Sequence, residues 1–472
     1  MIACRISRPQ FPSAFLALIS LLCLSSQVSD AQISLRRKIG QMVMVTFVGD
    51  SLEKSSASLD TMKSDLANGF VGGTIFFTWS NNLRRPQQIT HLTSELQRRS
   101  SIPLLIATDE EGGQVARLSG SNGFSSTPSA YQMGTVTNSE ASTRSTASTM
   151  AGWFAQTGIN VNLAPVVDVN VNPTSPAIGA LGRSFSSNPV TVASHAGWFI
   201  DEFHKKRLLT TLKHFPGHGS AKTDSHLGLV DITKTWADSE LTPYRQLLSA
   251  GVVDLIMTAH VFNANLDSVY PATLSRKTVT GILRQSLGYQ GVVVSDEMSM
   301  QAIVNYYGFD EAIALAVKAG VDILLYNKNQ DSSGFSLARH VVDFLERKVL
   351  DGTIAASRID ESYNRIMAVK QRIATGILGT TLTSVPTDFD LGNFPNPFNS
   401  STTISVQIPE RQHVSLKVFD LLGREIGTIL DDELPPGTRL ISWDGKNLSS
   451  GVYIAQIRTS KQVQSIKMLL MK

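Results

Sequence analysis

Eight short apolar runs, spread over residues 41–326, constrain this chain more than any other feature. They are Met42–Val48, Gly73–Phe77, Pro103–Thr108, Val161–Val167, Leu208–His214, Val253–Thr258, Gly291–Ser295 and Val321–Leu325. Most are rich in aliphatic residues and show little polar alternation. A strand with one wet face alternates, whereas a parallel strand covered on both faces reads as a continuous apolar run. Amphipathic stretches such as Asp238–Ala250 and Gly308–Ala319 fall between the runs and read as helices. Eight strand–helix repeats predict an α/β fold, a (β/α)8 barrel of the TIM type, which takes roughly 250 residues or more. Val341–Ile373 reads as one or two closing helices.

The character changes after residue 378. The stretch Gly379–Thr387 lacks periodicity, and residues 379–392 read as a linker. Short strands follow at Thr402–Ile408, His413–Asp420, Arg439–Trp443, Gly451–Ile457 and Val463–Met468. Turns stand at Pro435-Pro436-Gly437 and Ser449-Ser450-Gly451. This predicts a small all-β domain, an Ig-like sandwich, over residues 393–472. The barrel is expected to span 33–378.

The N-terminal stretch carries Arg5 and Arg8, then an apolar run from Phe15 to Leu22, and ends at Ser29-Asp30-Ala31. Small residues stand at the two positions a signal peptidase reads, so residues 1–31 are expected to be a secretory signal peptide. The apolar run is shorter than the ~20 residues that span a bilayer. A lipid anchor on Cys23 is the alternative, but Leu22 before it is bulkier than the usual small residue. Cys4 and Cys23 are the only cysteines, so cleavage near Ala31 leaves none for disulfides or for metal binding. Net charge is +3, without a basic stripe interleaved with aromatics, which argues against a nucleic-acid partner.

Barrel active sites form where strands end at their C-termini. The third run leads into Asp109-Glu110-Glu111-Gly112-Gly113-Gln114, and the fourth into Asp168 and Asn170. The fifth leads into Lys213-His214-Phe215-Pro216-Gly217-His218-Gly219 and then Asp224-Ser225-His226. His260 follows the sixth, and Asp296-Glu297 close the seventh. Charged and imidazole groups at one rim cost stability unless they are paired or wetted, so the set reads as functional. Asp168 and His260 are the weakest members, since each reads equally well as a satisfied structural group. Asp296 has the alternative reading of a helix N-cap. Glu297 is its rival carboxylate, but successive side chains on a strand are expected to point apart. Asp224 with His214, His218 and His226 could instead hold a metal, although their spacing matches no common zinc pattern.

The segments Lys213–His226, Asp109–Arg117 and Ser295–Met298 resemble family 3 glycoside hydrolases, in the β-N-acetylglucosaminidase branch, over roughly residues 35–375. The resemblance implies a retaining exo-hydrolase that removes terminal β-linked N-acetylhexosamine without a cofactor or metal. Asp296 would be the nucleophile that forms the glycosyl-enzyme. His226 would be the acid/base, partnered by Asp224, on a loop in which Gly217, Gly219 and Ser220 allow closure over the sugar. Asp109, Arg117, Arg183, Lys213 and His214 would hold the substrate. Two departures stand out: the loop Ile178–Gly182 before Arg183 is longer than the simplest family pattern, and Gln114 stands where arginine is frequent. The other readings are a phosphorylase on the same scaffold and a glycan-binding protein with an inactive barrel.

The C-terminal region contains Asn393-Phe394-Pro395-Asn396-Pro397-Phe398-Asn399, Val418–Glu425 and Ser450-Gly451-Val452-Tyr453, and ends Lys467–Lys472. It resembles the sorting domain of type IX secretion substrates. That implies transit through the periplasm, the type IX machinery as partner, and a secreted or cell-surface enzyme. Its expected substrate is a GlcNAc-containing oligosaccharide, from chitin or peptidoglycan, acted on by a monomer. A carbohydrate-binding sandwich is the alternative for this region, with Trp443 and Tyr453 as its aromatic platform.

Overall fold

The computed structural model describes residues 33–223, 228, 230–374, 390–394, 396–434 and 437–471. Leu35–Lys472 form one compact unit. The expected signal peptide lies outside the described residues.

Eight parallel strands close into a barrel. They are β1 (Val43–Val45), β2 (Gly73–Ile75), β3 (Leu105–Thr108), β4 (Val161–Asn162), β5 (Leu209–Phe215), β6 (Leu255–Thr258), β7 (Val292–Glu297) and β8 (Ile323–Tyr326). Neighbours in space are neighbours in sequence, and β1 closes the ring by pairing with β2 at Met44–Gly73 and with β8 at Val43–Leu324. Each predicted run overlaps one of these strands, and β5, β7 and β8 extend one or two residues past the predicted C-terminal ends. β4 is the shortest because Pro165 has no N–H to give the ladder, and pairing resumes only as a bridge between Val166 and Lys213.

The surrounding helices follow from local signals. Pro86–Arg99 starts with proline at its first position and buries Ile89, Leu92 and Leu96, one stripe at helical spacing. Phe309–Ala319 carries Asp310 and Glu311 in its first turn and ends on left-handed Gly320, complementing its dipole and satisfying its last carbonyls. Asp238–Ala250 is a 3-10 turn, Asp238–Leu241, followed by the helix Thr242–Ser249. Two helices close the barrel, Leu337–Leu350 and Ala356–Ala374.

The bottom of the barrel is locked by Asp322, which is fully buried just before β8. Its carboxylate accepts hydrogen bonds from Arg284 at 2.6 Å, Ser362 at 2.8 Å and Arg358 at 3.0 Å. Removing it strands the buried Arg284 guanidinium, and broken buried pairs cost about 3–5 kcal/mol. Asp322→Ala should therefore lower the thermal midpoint by roughly 10 °C. The kcat of the folded fraction should be unchanged, because Asp322 sits at the end of β8 opposite the functional rim; a fall in kcat would contradict that separation.

The C-terminal region pairs a three-stranded sheet with a four-stranded one, both antiparallel. The first contains β9 (Asp390–Phe394), β10 (Ser401–Ile408) and β13 (Gly437–Asp444). The second contains β11 (Gln412–Asp420), β12 (Glu425–Leu434), β14 (Gly451–Thr459) and β15 (Val463–Leu470). Ile404, Val406 and Ile408 from one sheet join Val414, Leu416, Val418, Ala455 and Ile457 from the other in one core, as alternate residues of a sandwich must. Two strands were not expected. β9 begins inside the stretch read as linker, and β12 is a largely exposed edge strand carrying Asp431, Asp432 and Glu433. Acidic residues suit an exposed edge because they discourage pairing with other chains.

Candidate active site

The C-terminal ends of the strands surround a cavity of about 380 Å³, lined by Asp109, Arg117, Arg183, Lys213, His214 and Asp296 among others. Six of the sequence-assigned residues thus converge from the loops after β3 and β4 and from the ends of β5 and β7. Asp224 and His226 lie outside the described residues.

One wall is an ion network. Lys213 is only 2% exposed, and its Nζ lies 2.8 Å from Asp109 Oδ1 and 2.7 Å from Glu111 Oε1. Arg183 grips Glu111 with two hydrogen bonds of 2.8 Å, from Nε and from a terminal nitrogen. Its other terminal nitrogen donates to the carbonyl of Ala177 at 2.8 Å. Burial raises the cost of charge on Glu111, but the Arg183 and Lys213 cations outweigh it and hold the carboxyl well below the usual range. Burial likewise works against Lys213, and the Asp109 and Glu111 carboxylates prevail, so its ammonium is raised above its ordinary value. Arg117 stands 3.8 Å from Asp109 and 5.8 Å over the ring of Phe77. The longer loop before Arg183 does not keep it from the cavity: Gly182 adopts φ +64°, and Arg183 N–H bonds back to the carbonyl of Ile178.

Beneath His214 lies Asp168, fully buried. It accepts from His214 Nδ1 at 2.7 Å and from the backbone N–H of His218 at 2.8 Å. A carboxylate facing Nδ1 favours a proton there, and the other ring nitrogen, Nε2, faces Arg183 at 3.4 Å. Asp168 is therefore a positioning group. His260 is also structurally engaged, with Thr273 Oγ1 at 2.8 Å and the Glu297 carbonyl at 2.9 Å.

The end of β7 departs from simple alternation. Asp296 and Glu297 both line the cavity, because β7 shifts register against β8 between Val294 and Glu297. Their roles still differ. Glu297 Oε1 accepts the N–H groups of Ser299 at 3.0 Å and Asn327 at 3.3 Å, and burial pushes its carboxyl above its ordinary value. Asp296 Oδ1 accepts the Glu297 N–H at 2.8 Å. It caps no helix, since the following helix, Gln301–Tyr307, has Met300 at its N-cap.

Gly217 and Gly219 are packing requirements rather than sources of freedom. A Cβ on Gly219 would sit 1.7 Å from the carbonyl oxygen of Val169, and one on Gly217 2.8 Å from the side chain of Glu240. Gly217 also has φ +127°, which other residues rarely adopt. Glu240 is itself buried beneath this segment, and burial raises its carboxyl to about 7.

The sequence left Glu111, Phe77, Trp79 and Asn327 without roles. Glu111 stands in the charged segment after β3, a signal that was present. Trp79 and Asn327 lie in turns with no surrounding motif.

Residues 34–369 match the model of the glycosyl hydrolase family 3 N-terminal domain. The chain belongs to glycosyl hydrolase family 3. Residues 393–472 match the secretion system C-terminal sorting domain. A β-hexosaminidase A from Pseudoalteromonas piscicida is 35% identical to this family 3 chain over 334 residues, covering 64% of it and 55% of the relative. A β-hexosaminidase from Tolumonas auensis is 35% identical over 288 residues, covering 59% and 82%. Among solved structures, a family 3 β-N-acetylglucosaminidase from Paenibacillus sp. str. FPU-7 matches with a TM-score of 0.67 at 35% identity, covering 76% of this chain and 66% of its own. The chain thus spans 55% of the Pseudoalteromonas relative and just under two thirds of the Paenibacillus one.

Proposed function

We propose that this family 3 enzyme is a retaining exo-β-N-acetylhexosaminidase that cleaves one terminal sugar at a time. The observation that carries the reading is Asp296 in a cavity of about 380 Å³ together with the Asp109–Lys213–Glu111–Arg183 network. That volume is at the small end of the roughly 300–1,000 Å³ typical of ligand sites, suited to a single ring. The names of the relatives support N-acetylhexosamine as the sugar.

In this mechanism the Asp296 carboxylate attacks the anomeric carbon as the bond to the leaving oxygen breaks. The His226 imidazolium gives its proton to that oxygen, and Asp224 holds the imidazole in the required tautomer. Water then gives a proton back to His226 and attacks the same carbon. The Asp296 ester is released, with the configuration retained. Lys213 spends two N–H groups on Asp109 and Glu111, leaving a third for a sugar hydroxyl. Asp109 accepts hydroxyl donors, while Arg183, Arg117 and His214 complete the grip. The sorting domain at 393–472 supports a location outside the cell, reached with residues 1–31 acting as a signal peptide.

Aryl glycosides differing only at the 2-position test the substrate class. The N-acetyl-β-glucosaminide should be cleaved at least ~100-fold faster than the β-glucoside, a difference of ~2.7 kcal/mol. Equal rates would overturn the assignment. Running the reaction in phosphate tests the reaction type: free sugar is expected, and sugar 1-phosphate as the main product would make the enzyme a phosphorylase.

A further inference from the structure

We propose that Trp79 and the groove beside it form a binding site for a second N-acetylhexosamine unit, the sugar on the leaving-group side of the scissile bond. The inference rests on the glycosidase reading and narrows it: the natural substrate is an oligosaccharide rather than a sugar on a small aglycone.

Trp79 is 57% exposed, on the turn that follows β2. Its indole is stacked on Phe77 at 5.3 Å with a 22° interplanar angle. Phe77 in turn lies under the guanidinium of Arg117, so an aromatic–cation stack leads from the surface toward Asp109. Trp79 and Asn327 line the active cavity and also a second cavity of about 270 Å³. The two spaces therefore share a wall.

The turn that presents the indole is held firmly. Ser80 and Asn82 are fully buried. Asn82 Nδ2 donates to the carbonyls of Phe47 at 3.0 Å and Gly49 at 2.7 Å, and Gly49 N–H donates to the carbonyl of Ser80 at 2.9 Å. Asn81 takes the left-handed conformation, φ +64°, to complete the turn. A large aromatic ring left in water on such a fixed support gains little for folding, and exposed apolar surface at a cavity rim marks a binding site. One indole face is already covered by Phe77; the rest offers a platform for the apolar C–H face of a pyranose.

The chemistry of the groove favours a neutral polar ligand. Its lining includes Ser58, Asn329 and Gln330, and its single cation, Lys328, is offset by Asp331. Nothing there gathers charge of one sign, so a sugar rich in hydroxyl and amide groups suits it better than a strongly anionic one.

The test compares two substrates that share the reacting sugar. In di-N-acetylchitobiose the leaving group is a second sugar; in methyl N-acetyl-β-glucosaminide it is only a methyl group. Trp79→Ala should lower kcat/KM for the disaccharide about ten-fold, ~1.4 kcal/mol, and leave the methyl glycoside within about two-fold. Trp79→Phe, which keeps a ring face, should recover most of the loss. An unchanged disaccharide rate, or an equal fall on both substrates, overturns the subsite. If the unaltered enzyme releases N-acetylglucosamine from neither substrate, the glycosidase reading itself fails and the subsite falls with it.

Discussion

Asp296→Ala is expected to cut kcat on an aryl N-acetyl-β-glucosaminide by at least ~1,000-fold, a loss of ~4 kcal/mol of transition-state stabilisation. Among the described residues, no other carboxyl lining the cavity can take over. Glu297 spends its carboxylate on two backbone N–H groups, and Asp109 and Glu111 are held by Lys213 and Arg183. Asp296 is only partly buried, so its loss should move the thermal midpoint by a few degrees at most. A stronger reading comes from adding azide to the variant. Azide can enter where the carboxylate was and displace the aryl oxide, giving a glycosyl azide of inverted configuration. Activity close to that of the unaltered enzyme would remove Asp296 from the nucleophile's role.

Glu111→Gln carries the second large effect, and it should damage binding and stability together. The substitution keeps the shape but removes the charge that neutralises Arg183 and Lys213. Arg183 meets Glu111 through two hydrogen bonds of 2.8 Å, and Lys213 lies 2.7 Å from it. Two buried cations would then keep only Asp109 and, for Arg183, the field of Asp168, at a cost of about 3–5 kcal/mol. Measured kcat/KM should fall at least ~100-fold, mostly through KM if the network holds the ground-state sugar. The thermal midpoint should drop as well. Asp322→Ala supplies the contrast, since it lowers the midpoint without touching the cavity. A Glu111→Gln enzyme that lost stability but kept its KM would show the network to be structural only.

The barrel was legible because its strands are buried on both faces, which writes them as unbroken apolar runs. The sandwich was less so. β11 alternates Val414, Leu416 and Val418 and declares itself, whereas the edge strand β12 has no buried face to impose a pattern. The site was legible as chemistry but not as geometry. Asp109, Lys213, Arg183 and Asp296 could be read off the strand ends. Yet Glu111 acquires its meaning only from Arg183, 72 residues further on, and that pairing exists only once the barrel closes. The alternation rule separated Asp296 from Glu297, and a register shift in β7 overrode it. Trp79 carried no signal at all, because a lone aromatic in a polar turn looks the same whether or not something stacks on it.

The segment Lys213–Gly219 is the most recognisable stretch of the chain, and its packing limits how far it could be moved. Asp168 sets the His214 ring and holds the His218 backbone, Val169 presses on Gly219, and Glu240 fits against Gly217. These supports come from two other parts of the chain, residues 168–169 after β4 and Glu240. Grafted into another barrel, the seven residues would bring the letters of the motif and leave behind its shape. An engineer wishing to transfer this chemistry would have to move the loops after β4 and the Glu240 turn as one block.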